Sequence, residues 1–490
     1  MNRSHDGARS SGVPRPRAIQ PARWVAYDVL HAVSVSDAYA NLLLPKLIAD
    51  AELDTQDAAL ATELTYGTLR RRGTYDAIIA EAAGRSADDI DAAVLDALRL
   101  GTHQLLATRV APHAAVNESV NLVAAEVGRG ASGFANAVLR RIGRDTAETW
   151  QERIEGHARS DDEKLSLRTA HPVWVIRALR RALAAEGRVE ELDDLLHYDN
   201  LSPEVTLVAL PGLAEPGEPR RPYAPTAFGS PGGDPRDAMA HSNGAIRVQD
   251  EGSQLVALAV AGAAPIREGE HWLDLCAGPG GKTALLAALA HAGGAVLEAN
   301  EVVHARAGLV RQAVRPLPID VTVHESDGRE FAARHPGEYD RILVDAPCTG
   351  LGALRRRPEA RWRKSPEDVA ELVVLQTQLL DAAIDALAPG GIVAYATCSP
   401  HLAETTGVVA DVLRRRPDVR ELDARAVLTE VSSSPIDLPA SDAAAVGSAA
   451  PGRLSAQLWP HRHGTDAMFL ALLQRPTITA PDARTTNGDR

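Results

Sequence analysis

Along the first third of the chain, apolar residues recur three and four positions apart. ARWVAYDVLHAV, DAALATELTYGTLRRR, AAVLDALRLGTHQLL and AVNESVNLVAAEV all carry this spacing, with breaks at Leu53-Asp54 and Ala83-Gly84. That period places one apolar stripe on each helix. It predicts a bundle of roughly five to seven helices between Ala22 and about Arg144. Residues 160 to 200 continue helical, notably HPVWVIRALRRAL, and PEVTLVALPGL reads as a strand. The Pro- and Gly-rich stretch 211 to 236 reads as a loop-heavy connection. From about Arg247 the pattern changes. HWLDLCA, AVLEANE, DVTVHES, YDRILVDAP and GIVAYATCS alternate with helical segments, which predicts βαβ units and a parallel sheet covered on both faces. DAMFLALLQR reads as a late edge strand, and 431 to 453, rich in Ser, Ala and Pro, as a mobile insertion.

These patterns predict a disordered arm over 1–20, an all-α bundle over 21–148 and a small α/β connector over 149–245. A Rossmann-like α/β domain over 246–475 and a loose tail over 476–490 follow.

Composition narrows the class. With 490 residues the chain is too long for one core. Its 45% hydrophobic and 24% charged residues are those of an ordinary globular protein. A net charge of −13 argues against generic nucleic-acid binding, though local basic patches can override it. No run approaches the roughly eighteen apolar residues of a membrane span, and MNRSHDGARSSGVPRPR has no apolar signal segment. Three cysteines without a C-x-x-C pair argue against a disulfide framework or a zinc site. The setting this predicts is a reducing cytoplasm, with no membrane partner and no metal. A monomer is expected. His461 and His463 have no carboxylate or thiol spaced to complete a metal site and read as surface residues.

Chemistry concentrates at the predicted strand ends. LDLCAGPGGKT, 273 to 283, reads as strand, glycine turn and helix, the place where α/β sheets bind nucleotide-like ligands. A phosphate loop would need glycine where Cys276 stands, and a dinucleotide loop would need one where Thr283 stands. The same topology without a pyrophosphate to cradle suits S-adenosylmethionine, and a glycine turn with no ligand is the plain alternative. Glu301 ends the second strand about twenty residues on, where a carboxylate accepts from ribose hydroxyls. Asp327 ends the third and is placed to accept from an adenine amino group; Asp345 ends the fourth.

Cys276, Cys348 and Cys398 all fall at strand ends, which share one edge of a parallel sheet. Ser399-Pro400 reads as a helix start, a setting that lowers a thiol pKa. Two thiols beside an electrophilic methyl donor suggest covalent catalysis on a pyrimidine, where a thiolate added at C6 makes C5 nucleophilic.

VQDEGSQL, LDLCAGPGGKT, DAPCTGLG and YATCSP, in this order, resemble the Nol/Nop/Sun family of RNA cytosine-5 methyltransferases. The resemblance implies an S-adenosylmethionine cofactor, Cys398 as nucleophile and Cys348 assisting product release. Its cofactor contacts fall on Cys276, Ala277, Gly278, Pro279, Gly280, Gly281 and Lys282, with Glu301, Arg306, Asp327 and Asp345. Asp345 would also meet the target cytosine. APHAAVNESVNLV with GFANAVLRRI resembles the NusB-like RNA-binding domain. That pairing implies a small-subunit ribosomal RNA substrate. Transfer RNA, or a non-catalytic assembly role, are the alternatives. Departures are mild: Glu301 for Asp, Thr349 for Ser, Arg361-Trp362 for Lys-Trp, and Asp466-Ala467-Met468-Phe469 for Asp-Gly-Phe-Phe.

RNA contacts are expected in LRRRPEARWRKSP, from Arg355, Arg356, Arg357, Arg361, Trp362, Arg363 and Lys364, because arginine forks suit phosphates. Arg140 and Arg141 are further candidates.

Overall fold

A computed structural model describes residues 19–36, 38–232, 235–439 and 454–477. Most of the expected arm, of the 431–453 segment and of the tail therefore lies outside the described residues. The chain divides into two compact units, one running up to Val173 together with Arg357–Glu359, the other comprising Trp174–Arg356 and the chain from Ala360.

The first unit is helical. Its helices span Pro21–Val35, Ala40–Asp50, Thr55–Arg70, Arg72–Ala83, Ala92–Ala107, Pro112–Glu126 and Arg129–Ile142. Each predicted break has a physical cause. Asp54 caps the third helix by accepting from the Asp57 N–H at 2.8 Å. Gly84, at φ +69°, ends the fourth in a left-handed turn. Asp91 caps the fifth through the Ala93 and Val94 N–H groups. Trp24, Tyr27, Leu64, Ile79, Leu98 and Leu139 form the buried core. Two more helices, Ala147–Glu155 and Asp161–Thr169, belong to this unit, not to the connector expected from 149. The reason is Trp150, fully buried in the bundle core with its indole N–H donating to the Ile142 carbonyl at 2.9 Å. Ile19 is buried, and the Gln20 backbone N–H donates to Glu118, so the last two residues of the expected arm are anchored.

The second unit opens with helices Val173–Ala185 and Leu192–Tyr198. A small antiparallel sheet follows, of β1 (Thr206–Ala209), β2 (Ala227–Gly229) and β3 (Ile246–Val248) in the order β2-β1-β3. The large sheet contains β4 (His271–Asp274), β5 (Val296–Asn300), β6 (Thr322–His324), β7 (Tyr339–Asp345) and β8 (Leu387–Thr397). It is completed by β9 (Arg420–Leu422), β10 (Ala456–Gln457) and β11 (Phe469–Gln474). Among the described residues its order is β10-β11-β8-β7-β4-β5-β6, with β9 also pairing β11. The five predicted strands β4 to β8 are parallel. The sheet as a whole is mixed, because β11 runs antiparallel to β8.

Nor is β11 an edge strand: β8 lies on one side and β9 and β10 on the other. Its side chains Phe469 to Leu473 are buried, which accounts for an apolar run without alternation. Alternation is nonetheless present in space. Trp272, Ile392, Ala394 and Ala396 face one core while Leu273, Val393 and Tyr395 face the other.

The first part of the expected insertion is held in place. Ile436 and Leu438 pack on the core, and Arg188 pairs with both Asp437 oxygens at 2.8 Å.

Candidate active site

Register places the chemistry. Asp274 lies opposite Leu343 across β4 and β7, and Asp345 opposite Ala396 across β7 and β8. The three strands run parallel, so the segments bearing Cys276, Cys348 and Cys398 leave the sheet at one edge.

After β4 the chain turns through residues 275–280 into helix Gly281–Ala292. Gly280 has φ +103°, and a Cβ there would lie 2.7 Å from Ala313 and 3.0 Å from the Val310 backbone. At Gly278 a Cβ would lie 2.3 Å from Glu301 Oε2. Both positions therefore require glycine. Buried Glu301 accepts the Gly278 N–H at 3.0 Å through Oε2 and the Val303 N–H at 2.9 Å through Oε1. Arg306 reaches the same carboxylate at 3.7 Å and donates to the Gly278 carbonyl.

Asp274 is buried beneath the loop. Thr283 donates to its Oδ2 at 2.7 Å, while Oδ1 is buried without a partner. Burial, opposed by Thr283 and reinforced by the Asp345 charge, pushes its carboxyl up to about 7. Lys282 Nζ meets Asp345 Oδ2 at 2.9 Å. Burial disfavours the ammonium, but the Asp345 carboxylate and Cys398 outweigh it and hold the Lys282 pKa above its ordinary value.

These groups fit S-adenosylmethionine. A carboxylate has about four lone-pair sites, and the two backbone N–H bonds to Glu301 leave capacity for sugar hydroxyls. The glycines bring bare backbone to the same side. Asp327 is more heavily used. It caps helix Gly328–Ala333 and receives Arg329 on both oxygens, at 2.9 Å and 2.6 Å. The Arg329 side chain is the main reason its carboxyl is held down to about 2.

Cys348 Sγ and Cys398 Sγ are 3.4 Å apart. The hydrogen bond to Cys398, then burial, then the charges of Cys398 and Glu404 push the Cys348 thiol well up. The two thiols titrate as one unit, with the Lys282 ammonium interacting favourably with a Cys398 thiolate. No helix starts at Cys398. A short 3-10 turn covers Leu402–Glu404, and the α-helix begins only at Thr406. At the expected helix start, Ser399 donates its hydroxyl to Glu404 at 2.7 Å and accepts the His401 N–H at 3.2 Å, closing a turn. Cys276 packs against the core beside Leu275, and burial pushes its thiol up.

Two further residues complete this centre. Gly352 donates to the Cys398 carbonyl at 2.8 Å, and a Cβ there would meet the Ala467 carbonyl oxygen at 2.2 Å. Glu404 is fully buried and bonded to both cysteine-bearing segments. It is set apart from the other buried acids by bonding both cysteine-bearing segments.

The basic segment differs from the exposed array expected. Arg355 is 4% exposed, lies over the Tyr198 ring and donates to the Gly464 carbonyl at 2.7 Å. Arg356 pairs with Asp250 at 2.8 Å and Asp466 at 3.1 Å. Arg361 is wholly buried and donates to Asn200 at 2.9 Å. In each case an inward carboxylate or carbonyl captures the guanidinium. Arg357, in the first unit, is exposed and stacks over Tyr39. Trp362, Arg363 and Lys364 are half-buried. His461 and His463 are not surface residues. His461 bonds Glu191 at 2.7 Å, and buried His463 accepts the Trp459 N–H at 2.8 Å. Arg140 and Arg141 remain exposed on the bundle.

Among the described residues, no group of three or more His, Cys, Asp or Glu side chains is arranged to hold a metal. No described helix is long and apolar enough to cross a membrane.

Comparison with known proteins matches this geometry to a family. Residues 263–474 match the profile of the 16S rRNA methyltransferase RsmB/F family, and residues 20–144 that of the NusB family. A Mycobacterium tuberculosis protein named as a methyltransferase is 49% identical over 477 residues, covering 96% of this chain and 99% of that protein. Ribosomal RNA small subunit methyltransferase B of Pseudomonas putida is 32% identical, over 82% of this chain and 91% of its own length. The crystal structure of PH0851 shares the fold, with a TM-score of 0.76 and 22% identity over 94% of this chain and all of that one.

Proposed function

The chain belongs to the RsmB/F family of 16S rRNA methyltransferases, and from that premise we propose that it methylates C5 of a cytosine in small-subunit ribosomal RNA through a covalent Cys398 adduct. The cofactor is S-adenosylmethionine, which when bound supplies an electrophilic methyl group. Cys276 to Lys282, Glu301, Arg306, Asp327 and Asp345 are the residues that hold it.

Cys398 Sγ attacks C6 of the base as a thiolate, balanced by the Lys282 ammonium. The C5–C6 π pair is thereby made available at C5, which takes the methyl group. Asp345 engages the N3/N4 edge of the cytosine and also anchors Lys282. A base takes the C5 proton, its C–H electron pair restores the C5–C6 double bond and Cys398 leaves as thiolate, with Cys348 beside it assisting this release. The helical unit, including the expected 21–148 bundle, contributes RNA recognition. The substrate places the reaction in the cytoplasm.

The observation that carries this reading is the 3.4 Å pair of thiols at the sheet edge that also holds the glycine loop and the Lys282–Asp345 pair. Cys398→Ala is expected to abolish methyl transfer with cofactor affinity intact. Cys348→Ala is expected to accumulate a protein–RNA adduct stable to denaturing electrophoresis. Full activity in Cys398→Ala would sink the mechanism. Bisulfite sequencing of ribosomal RNA from a deletion strain tests the substrate, and an unchanged pattern would remove the ribosomal assignment.

A further inference from the structure

Glu404 lies shortly after Cys398, at the end of the Leu402–Glu404 turn, with no exposed surface. Its carboxylate accepts four hydrogen bonds. Oε1 takes the Thr349 backbone N–H at 2.8 Å and Gln376 Nε2 at 3.1 Å. Oε2 takes the Ser399 hydroxyl at 2.7 Å and the Thr349 hydroxyl at 2.5 Å.

The partners are specific in sequence. Thr349 follows Cys348, and Ser399 follows Cys398. Gln376 also donates to the carbonyl of Pro347, which precedes Cys348, at 2.9 Å. Tyr395, on the strand leading to Cys398, donates to the Glu404 backbone carbonyl at 2.7 Å. One buried carboxylate therefore ties together the two segments that carry the thiols.

All four donors, three side-chain groups and one backbone N–H, are neutral, so the negative charge is solvated by dipoles without being cancelled. Burying such a charge is costly unless it is fully hydrogen-bonded. An amide or a water could bridge the same loops at lower cost. The charge itself has an effect here: it falls on Cys348 and disfavours its ionisation.

We propose that Glu404 is the positioning residue of the reaction centre, one buried carboxylate that fixes the spacing of the two thiols and makes them chemically unequal. Cys398 is then the thiol left to react as the anion, and Cys348 the one that retains a proton for the release step. The inference rests on the roles given above to Cys398 and Cys348, and it predicts which side chain enforces them.

Two substitutions in the full-length protein separate charge from spacing. Glu404→Gln keeps the shape: its oxygen can face the Thr349 N–H while its amide donates to hydroxyls that rotate to accept. It removes only the charge. Glu404→Ala removes both. Cys348 and Cys398 alkylation by iodoacetamide, followed peptide by peptide across pH, reads the proton distribution without any RNA. In the wild type Cys398 reacts at lower pH than Cys348. In Glu404→Gln the Cys348 profile moves to lower pH and the two converge. Single-turnover methyl transfer to transcribed small-subunit RNA falls about a hundredfold, with S-adenosylmethionine affinity by calorimetry unchanged. A Glu404→Gln protein with the wild-type alkylation order overturns the proposal, whatever its rate. Should Glu404→Ala fail to fold, the Gln variant alone decides. If Cys398→Ala retains activity, the reaction scheme falls while the alkylation order still tests Glu404.

Discussion

Two neighbouring stretches of the chain use their polar residues in opposite ways. DAPCTG, 345–350, leaves the end of a buried strand and presents Asp345 and Cys348 at the sheet edge, toward Lys282 and Cys398. The Arg355–Lys364 stretch follows at once, and its arginines turn inward or sideways: Arg355 to a carbonyl, Arg356 to two carboxylates, Arg361 to Asn200. In the first stretch position is dictated by topology, since parallel strands in register must deliver their ends to one side. In the second it is dictated by partners far along the chain, Asp250, Asp466 and Asn200. Charge density in a sequence reports neither exposure nor purpose until those partners are known.

The largest effect that sharpens this contrast is expected at Lys282. Lys282→Met removes the cation facing Asp345 and Cys398, while filling a similar volume. Losing one preorganised electrostatic partner costs roughly 10²–10³ in rate, and that loss is expected in single-turnover methyl transfer. Cys398 alkylation should shift to higher pH, because the ammonium no longer favours the thiolate. A variant with a wild-type rate would show that the Lys282–Asp345 pair only braces the loop.

Next comes Arg361→Met, directed at the other stretch. Arg361 is buried, donates to the Asp199 carbonyl at 3.3 Å and lowers the Asp199 carboxyl, which burial pushes up to about 7. Removing one member of such a buried arrangement costs about 3–5 kcal/mol, measured as a lower urea midpoint. The sign with pH follows from the raised pKa. A carboxyl with a folded pKa above its unfolded one stabilises fully below the ordinary carboxylate range and loses that contribution as pH rises through about 7. Without Arg361 the ionised form is harder to accommodate, so the deficit is expected to be larger at pH 8 than at pH 5. A deficit in RNA affinity with unchanged stability would instead restore Arg361 as a phosphate contact.

The same contrast explains what was legible in the chain. The helical spacing of 22 to 144 and the strand runs of 271 to 397 are consequences of burial, and each appears as an element. Cys276, Cys348 and Cys398 were readable as one edge because they follow parallel strands. Glu404 was not, because nothing in its local sequence distinguishes this buried acid from the exposed ones. The interior place of β11 was illegible for a similar reason: its partners β9 and β10 are short strands whose apolar content is too small to read. His461 and His463 looked exposed in a polar stretch, yet Glu191 and the Trp459 turn bury them.

A smaller effect separates the half-buried end of the basic segment from its buried start. Lys364 Nζ lies 3.6 Å from Asp368, with its side chain 35% exposed. Such a surface pair is worth under about 1 kcal/mol, so the lysine can be released to a phosphate. Lys364→Ala is expected to leave stability unchanged and to lower the slope of log affinity for RNA against log salt by about one. An unchanged slope would remove the segment's one lysine from the RNA surface.

The smallest expected effect lies at the opposite end of the sheet edge, at Asp327. There the carboxylate is neither a buried charge nor a reacting group; it caps a short helix and pairs with its neighbour Arg329. Asp327→Asn preserves an oxygen to accept the Arg329 N–H but loses the ion pair, so stability at neutral pH should fall by under about 1 kcal/mol. Here the pH dependence has the opposite sign to that of Asp199. The folded pKa is depressed to about 2, so the stabilisation is present above the ordinary carboxylate value and is lost as pH falls from there toward 2. Wild type and Asp327→Asn are therefore expected to differ in urea midpoint at pH 7, to keep most of that difference at pH 4 and to converge only as pH approaches 2. A difference that does not shrink at all between pH 5 and pH 2.5 would place the effect in the helix cap and not in the charge.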